Sequence, residues 1–490
     1  MNIKSQIAEV DQDTGGPSEQ PIPVPRMALP FSERRVLLLF GDALVVNGAV
    51  LAAFYLWSRV GSMALDFGFV QQRGVYWFPL LTILWWILAH LADLYNIPVA
   101  SRRTQAVSRL GIVGASLLII YLVVYFFLPR DLLPRWFFLF FIGMAVAGNL
   151  LWRWLYTVVF ALSPFHYRVI IAGAGQAGHT IAQVLGEEGE PGYHAVGFVD
   201  DDPEKQATDV AGLPVLGNSH DLLNLVRELQ VSNVILAATH PVRGELFQAL
   251  MDCRAIGVEV TRMPALYEQL TLRMPVEHIE QGWVLESMNG ISTLSRPGQW
   301  VKRLSDIVLG ILGGLIFLLL FPFLSLAIVI DSPGPVLYRQ VRSGRGGKPF
   351  EVLKLRTMVP SAEKAGKPQW ARRDDDRITH VGHLLRKVRL DEFPQVLNVL
   401  RGEMSIVGPR PERPEFIEEL QEQIPFYRTR LCIRPGLTGW AQIHYGYGSS
   451  VEDALIKLQY DLYYIRHWSL WLDLYTIVKT VGVVLRFGGT

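Results

Sequence analysis

Apolar residues gather in four long blocks early in the chain, at about 36–57, 76–98, 108–129 and 136–160. Each is close to the roughly 20 residues that carry a helix across a bilayer. Lys4, Arg26, Arg34 and Arg35 precede the first block, and Arg102, Arg103 and Arg109 separate the second from the third. The other two loops hold Arg59 and Arg73, then Arg130 and Arg135. This bias predicts a four-helix transmembrane bundle over 31–162 with both ends in the cytoplasm. Asp42 and Asp93 fall within or near the spans, where an acid either has a functional role or, as favoured here, sits near a helix end or faces neighbouring helices. Residues 1–30 lack apolar periodicity and read as a disordered tail, not a cleavable signal peptide.

The pattern changes at "RVIIAGAGQAGHTIAQVL": a β-branched run, then Gly173, Gly175 and Gly178, then helical spacing. Strand, glycine turn and helix in that order predict a Rossmann-like unit, here 163–270, followed by a linker at 271–299. A second strand, "AVGFVDDD", brings Asp200 to the place of a ribose-binding acid, 27 residues after Gly173. These four residues are candidates for nucleotide binding. The same glycines also serve a tight turn with close helix packing and no ligand, and both readings stand.

A fifth apolar block, "IVLGILGGLIFLLLFPFLSLAIVI" at 307–330, holds no charge. Lys302 and Arg303 lie before it and Arg339, Arg342 and Arg345 after it, so both flanks favour the cytoplasm. Pro322 near its middle removes a backbone donor and permits a bend. A re-entrant helix hairpin over 302–331, entering and leaving by one face, satisfies both facts. The alternative, a proline-kinked crossing helix, would put the rest of the chain on the far side.

Composition supports a membrane protein: 50% of the 490 residues are hydrophobic and 19% charged. A net charge of +1 gives no reason to expect nucleic acid as a partner. Cys253 and Cys432 have no metal-ligand spacing, and His380 and His383 lack the glutamate and third ligand of a zinc site. The even charge total hides a local excess. Sixteen Lys and Arg face eight Asp and Glu between Arg339 and Arg410, so this stretch predicts an anionic ligand. Asp374, Asp375 and Asp376 lie in it and could bind a metal, but with Arg372, Arg373 and Arg377 around them they read rather as a solvated loop.

Within it runs "RLDEFPQVLNVLRGEMSIVGPRP". Phe393, Val396, Leu397 and Leu400 follow helical spacing, Gly402 is a stop, and Pro394 suits a first turn. Asp391 is then at the N-cap, and Asp391 and Glu392 sit by free N–H groups at the positive end of a helix. A carboxylate held ionised there can attack phosphorus or bind Mg²⁺. An ordinary acidic N-cap is the other reading. Arg386, Arg410, Lys354 and Arg356 recur around the acids in separate segments and favour the first.

"VKRLSDIV", the apolar block, "GPVLYRQVRSG", "LKLRTM", "DDRITHVGHLLRKVRLDEFPQVLNVLRGEMSIVGPRP" and "RPGLTGWAQIHYG" occur in the order seen in bacterial polyprenyl-phosphate sugar-phosphate transferases, the monotopic phosphoglycosyl transferases. The resemblance covers about 300–487, and the bundle and Rossmann-like domain upstream resemble the long form of that family. It implies a membrane α-helical bundle, a Rossmann-like α/β domain and, at 300–490, an α/β membrane-associated catalytic domain with a re-entrant hairpin. The implied reaction moves sugar 1-phosphate from a UDP-sugar to undecaprenyl phosphate and releases UMP, with Asp391 as nucleophile. Glucose and galactose 1-phosphate are the leading groups. Mg²⁺ would be held by Asp391 or Glu392; Arg386 and Arg410 match phosphate-contacting positions, Lys354 and Arg356 share that pocket, and Arg342 lies in a matching motif. The implied setting is the bacterial inner membrane, with both soluble domains cytoplasmic, in exopolysaccharide or O-antigen initiation. The partners are UDP-sugar, undecaprenyl phosphate and the lipid bilayer; a homodimer is left open.

Two places depart from the family pattern. Phe321–Pro322 stands where many relatives have Ser-Pro, and "HYGYGSSVEDALIKLQYDLYY" follows "GWAQI" where many have an arginine-containing turn. Two other functions are weighed. A nucleotide-sugar oxidoreductase or epimerase needs a Tyr-x-x-x-Lys arrangement that 168–280 lacks. A scaffold or regulator of polysaccharide assembly does not need the acids and arginines that are intact here.

Overall fold

The computed structural model describes residues 31–60, 75–92, 94–95, 103–127, 135–160, 167–187, 193–206, 208–238, 242, 244–278, 296–359, 377–446, 448 and 450–485. The expected tail, Asp93 and the triple aspartate fall outside them. The chain forms two compact units, one holding Tyr156–Arg262 and the other Arg35–Leu155 with Met263–Thr490.

Helices α1 (Phe31–Val60), α2 (Trp77–Leu91), α3 (Arg103–Phe127) and α4 (Arg135–Phe160) correspond to the four blocks. α1, α3 and α4 are long and apolar enough to cross a membrane. α2 is shorter than expected: its 15 residues rise only about 22 Å. It stops at Leu91 because the chain turns there, with the Ala92 and Leu94 amides donating to the Leu88 and Ala89 carbonyls.

The first unit is Rossmann-like. β1 (Tyr167–Ala172), α5 (Gln176–Glu187), β2 (Tyr193–Val199), β3 (Asp209–Val210), β4 (Leu213–Gly217), α6 (Leu222–Glu228), β5 (Asn233–Leu236), α7 (Glu245–Ala255) and β6 (Glu259–Arg262) build it. The six strands lie in the order β3-β4-β2-β1-β5-β6, parallel except for β3. Strand order reverses at β1, where Val169 is opposite both Ala195 and Asn233. The glycines end β1 at that crevice. A Cβ on Gly178 would meet the Gly173 carbonyl oxygen at 2.0 Å, so only glycine lets α5 approach the turn.

In the second unit, α8 (Met263–Thr271) follows β6 directly and packs with the C-terminal region. Glu268 pairs with Arg466 at 2.7 Å, Trp440 donates to the Leu272 carbonyl, and Met274 and Val276 join that region's core. The sequence reading assigns 263–270 to the Rossmann-like unit and 271–278 to the linker, because α8 continues the strand-helix alternation upstream and its contacts with the C-terminal region leave no local pattern.

α9 (Arg296–Asp331) is one helix of 36 residues with Pro322 inside, in place of two helices joined by a turn. A straight helix of that length would extend about 54 Å. Both of its ends nevertheless join the same α/β body, which comprises β7 (Leu337–Ser343), β8 (Pro349–Leu355), α10 (His380–Lys387), α11 (Val396–Arg401), β9 (Ser405–Val407), α12 (Pro414–Gln423), β10 (Gly436–Thr438), α13 (Trp440–His444), α14 (Val451–Arg466) and α15 (Leu470–Leu485). At the N-terminal end Lys302 pairs with Asp473 at 2.7 Å, and Arg303 donates to the Val399 and Leu400 carbonyls at the end of α11. At the other end Asp331 accepts from the Val381 amide at 2.8 Å, and Ile328 packs on Leu355 and Leu385. Gly310 and Gly313 lie against Leu400 and Val396, a close approach that larger residues would obstruct. Leu318, Leu319 and Phe323 on the outer side are about 70% exposed, as an oil-facing surface requires.

Buried Asp306 on α9 accepts from Ser405 Oγ and the Ile406 amide, both at 2.9 Å, and so ties the helix to β9. Asp306→Ala leaves those donors unsatisfied and should lower stability by about 1–3 kcal/mol, read as thermal unfolding of the full chain in detergent.

Candidate active site

The paired acids lie in a tight 3₁₀ turn, Leu390–Gln395, that leads into α11. Arg389, in the left-handed region at φ 55°, caps the turn, so Asp391 is the second residue of the turn and not its N-cap. This tighter winding also rotates the buried face. Val396 is buried as expected and Phe393 and Leu400 are half-buried, but Leu397 is exposed and Asn398 and Val399 are buried in its stead, a shift of the face expected from 3.6-residue spacing. Asn398 is satisfied by the Leu353 amide, the Glu351 carbonyl and Glu403. Gly402, at φ 84°, ends α11 as predicted.

Glu392 is nearly buried and receives two cations on one oxygen: Lys354 Nζ at 3.1 Å and Arg410 Nη2 at 2.8 Å. Burial works against its ionisation, but Arg410, Lys354 and Arg389 outweigh this and hold its carboxyl well below the ordinary range. Asp391 is equally buried, yet takes no hydrogen bond from a described residue. Burial raises its carboxyl, the Glu392 charge adds to this, and Lys354, Arg386 and Arg410 oppose it. One acid is therefore committed to organising cations. The other is uncommitted.

Contacts behind the pocket fix Arg386 and Arg410 in place. Arg386 Nε donates to Thr357 Oγ1 at 2.9 Å, which orients it toward the acids. Arg410 projects from a loop whose prolines supply no amide donors, but whose carbonyls are all used. Pro409 O accepts from the Gly436 amide, Arg410 O from Arg430, Pro411 O from Arg342 and Glu412 O from the Ser343 amide. Arg430 is itself buried between Asp461, at 2.8 Å, and the Tyr427 hydroxyl, at 2.7 Å. Burial pushes the Asp461 carboxyl up to about 6 against the pull of Arg430.

Of the residues expected in the pocket, Asp391, Glu392, Lys354, Arg386 and Arg410 are brought together. Arg342 is at the edge, bonded to the loop and 3.6 Å from Glu412. Arg356 is elsewhere: it donates to the Ser332 and Pro333 carbonyls and holds the end of α9. Sequence reasoning missed Arg389, although it adjoins Asp391. It also missed Arg430 and Asp461, whose separation in sequence carries no local signal.

In the Rossmann-like unit Asp200 accepts from the Ala174 amide at 2.7 Å and pairs with Lys205 at 3.3 Å. Gly173 and Gly178 form the turn, with Gly173 at φ 110°. Pro322 is in α9, remote in sequence from the acids.

Comparison with known proteins identifies the family of the chain. Residues 297–487 match the family described as bacterial sugar transferase, and residues 90–264 match a CoA-binding domain. A glucose-1-phosphate transferase of Caulobacter vibrioides, named for UDP-glucose and undecaprenyl phosphate, is 45% identical over 38% of this chain and 69% of that one. The chain belongs to the bacterial sugar transferase family. An N-acetylgalactosaminephosphotransferase of Aeromonas hydrophila is 37% identical to this transferase, over 49% of this chain and 56% of its own length. A glucose-1-phosphate transferase of Xanthomonas campestris pv. campestris is 33% identical, over 65% and 66% respectively.

Arg430→Met leaves Asp461 buried without its cation and should cost this transferase about 3–5 kcal/mol. The double variant Arg430→Met/Asp461→Leu should recover most of that loss, as measured by thermal unfolding at neutral pH.

Proposed function

We propose that the protein transfers a sugar 1-phosphate from a UDP-sugar to undecaprenyl phosphate, the first membrane step in making an exopolysaccharide or O-antigen. The observation that carries this reading is the asymmetry of the acids: Glu392 bridges Lys354 and Arg410, while Asp391 beside it is free to react. In the first step an Asp391 oxygen attacks the β-phosphorus. The new aspartyl O–P bond forms as the bond to the bridging oxygen breaks, and UMP leaves with that electron pair. In the second step an oxygen of undecaprenyl phosphate attacks the same phosphorus, and the Asp391 carboxylate is released. Two easier displacements replace one difficult one.

The cations define what the site accepts. Arg410, Arg386 and Lys354 face the negative charge of a diphosphate, and planar guanidinium groups suit its oxygens. The loop clamp keeps Arg410 in place as charge shifts to the leaving group, and this prior arrangement is where electrostatic catalysis gains most. Arg342 serves as a support for that loop at the edge of the phosphate site. Mg²⁺ fits the donor set through Asp391 and the remaining oxygen of Glu392, since it uses one or two carboxylates with phosphate oxygens. When bound it supplies charge neutralisation to the diphosphate.

α9 supports access to a lipid substrate from one side. Both its ends join the same body and its outer side is apolar, as expected of a segment that dips into one leaflet and returns. Together with the cytoplasmic charge bias this supports the reading that both soluble units lie on the cytoplasmic face of the inner membrane. The relatives named above act on different sugars, so the donor is a matter for assay, with UDP-glucose and UDP-galactose tested first. Nucleotide binding at Gly173, Gly175, Gly178 and Asp200, and pairing of two copies, belong to the same proposal as accessory features.

Purified protein with Mg²⁺, undecaprenyl phosphate and a panel of UDP-sugars should release UMP with one of them. Release of UDP instead would mean that the sugar moves without its phosphate. Asp391→Asn should reduce turnover to background while the protein remains folded. Arg410→Met should cost about 10²–10³-fold in kcat. It also removes a charge that lowers both carboxyls, so the acid limb of the pH–rate profile should move to higher pH; an unmoved limb would separate Arg410 from the acids.

A further inference from the structure

α2 and α15 meet where the bundle adjoins the α/β body. The Leu91 carbonyl is among the last acceptors of α2, which have no partner within a helix, and it takes Lys479 Nζ of α15 at 3.2 Å. A cation is favoured at a helix C-terminus, and Lys479 also lies 5.4 Å from the centre of the Tyr475 ring. The neighbouring His90 ring meets Tyr475 edge-on at 4.9 Å and Trp471 at 5.8 Å.

Behind this turn is a buried polar joint. Asp42 of α1 accepts from the Tyr95 hydroxyl at 2.8 Å, Arg153 of α4 at 2.9 Å and Trp85 of α2 at 3.3 Å. Asp42 is fully buried and Arg153 only 3% exposed. Ionisable groups at such depth are costly and keep their place only when paired, so the joint fixes α1, α2 and α4 together. Ahead of the turn, the residue after Lys479 reaches toward the site. Thr480 Oγ1 is 2.6 Å from Thr438 Oγ1, and the Thr438 carbonyl accepts from the Gly408 amide at 2.9 Å, two residues before Arg410.

We propose that the C-terminal turn of α2 is a seat for α15, and that through Thr480 and Thr438 this seat sets the loop carrying Arg410. The membrane bundle is then a positioning part of the enzyme and not only an anchor, with Lys479 as its positioning residue. The coupling rests on the proposed role of Arg410 at substrate phosphate; the seat itself does not.

The test uses the full chain in membranes. A His90→Cys/Tyr475→Cys pair should cross-link within one chain, and adding Lys479→Met should reduce the yield. In the otherwise native chain Lys479→Met should raise the donor KM or lower kcat by roughly 2- to 30-fold, the usual range of such couplings, and Lys479→Arg should restore both. No cross-link, or one formed between two chains, would overturn the seat. Native kinetics in Lys479→Met with the cross-link lost would overturn the coupling. An inactive native chain that still cross-links would overturn the proposed reaction and leave the seat standing.

Discussion

One carboxylate holding two cations is the constraint on which the site depends. Without Glu392, Lys354 and Arg410 would repel each other inside a largely buried pocket, and neither could be held close to Asp391. With it, the cations are fixed and their charge remains in excess for an anionic substrate. The ion pairs alone are weak evidence for stability, because burying charge costs much of what pairing returns. Their value here is orientation. The loop carbonyls, Arg430 and Asp461 carry that orientation away from the pocket into the core of the body.

A second constraint comes from the membrane. A long apolar helix that both starts and finishes on one α/β body brings the oil-facing surface to the same elements that hold the acids. Gly310 and Gly313 let it lie close against α11, and Asp306 ties it to the strand before the Arg410 loop. The proposed reaction needs a lipid substrate and a soluble nucleotide sugar to reach one carboxylate, and an apolar helix packed on the elements that hold Asp391 suits that need.

Much of this was legible in the sequence where the signal was local. The apolar blocks, the glycine turn after a β-branched strand and the stop at Gly402 depend on neighbours within a few residues, and the structure follows them. The reading failed where tertiary contacts decide. The 3₁₀ winding that moves Asp391 off the N-cap and exposes Leu397 follows from left-handed Arg389 and from Asn398, which is drawn inward by three partners. Arg356 reads like a phosphate ligand in "LKLRTM" but is used by two carbonyls at the end of α9. Arg430 and Asp461, 31 residues apart, share no pattern that a single sequence displays.

The most direct test of the account is to mix the protein with a UDP-sugar labelled at the β-phosphate, without undecaprenyl phosphate, and to quench in acid. The account predicts label on the protein, in the peptide containing Asp391, chased off when undecaprenyl phosphate is added. Turnover with lipid present but no label on that peptide under any quench time would contradict it, and would require direct transfer between the two substrates.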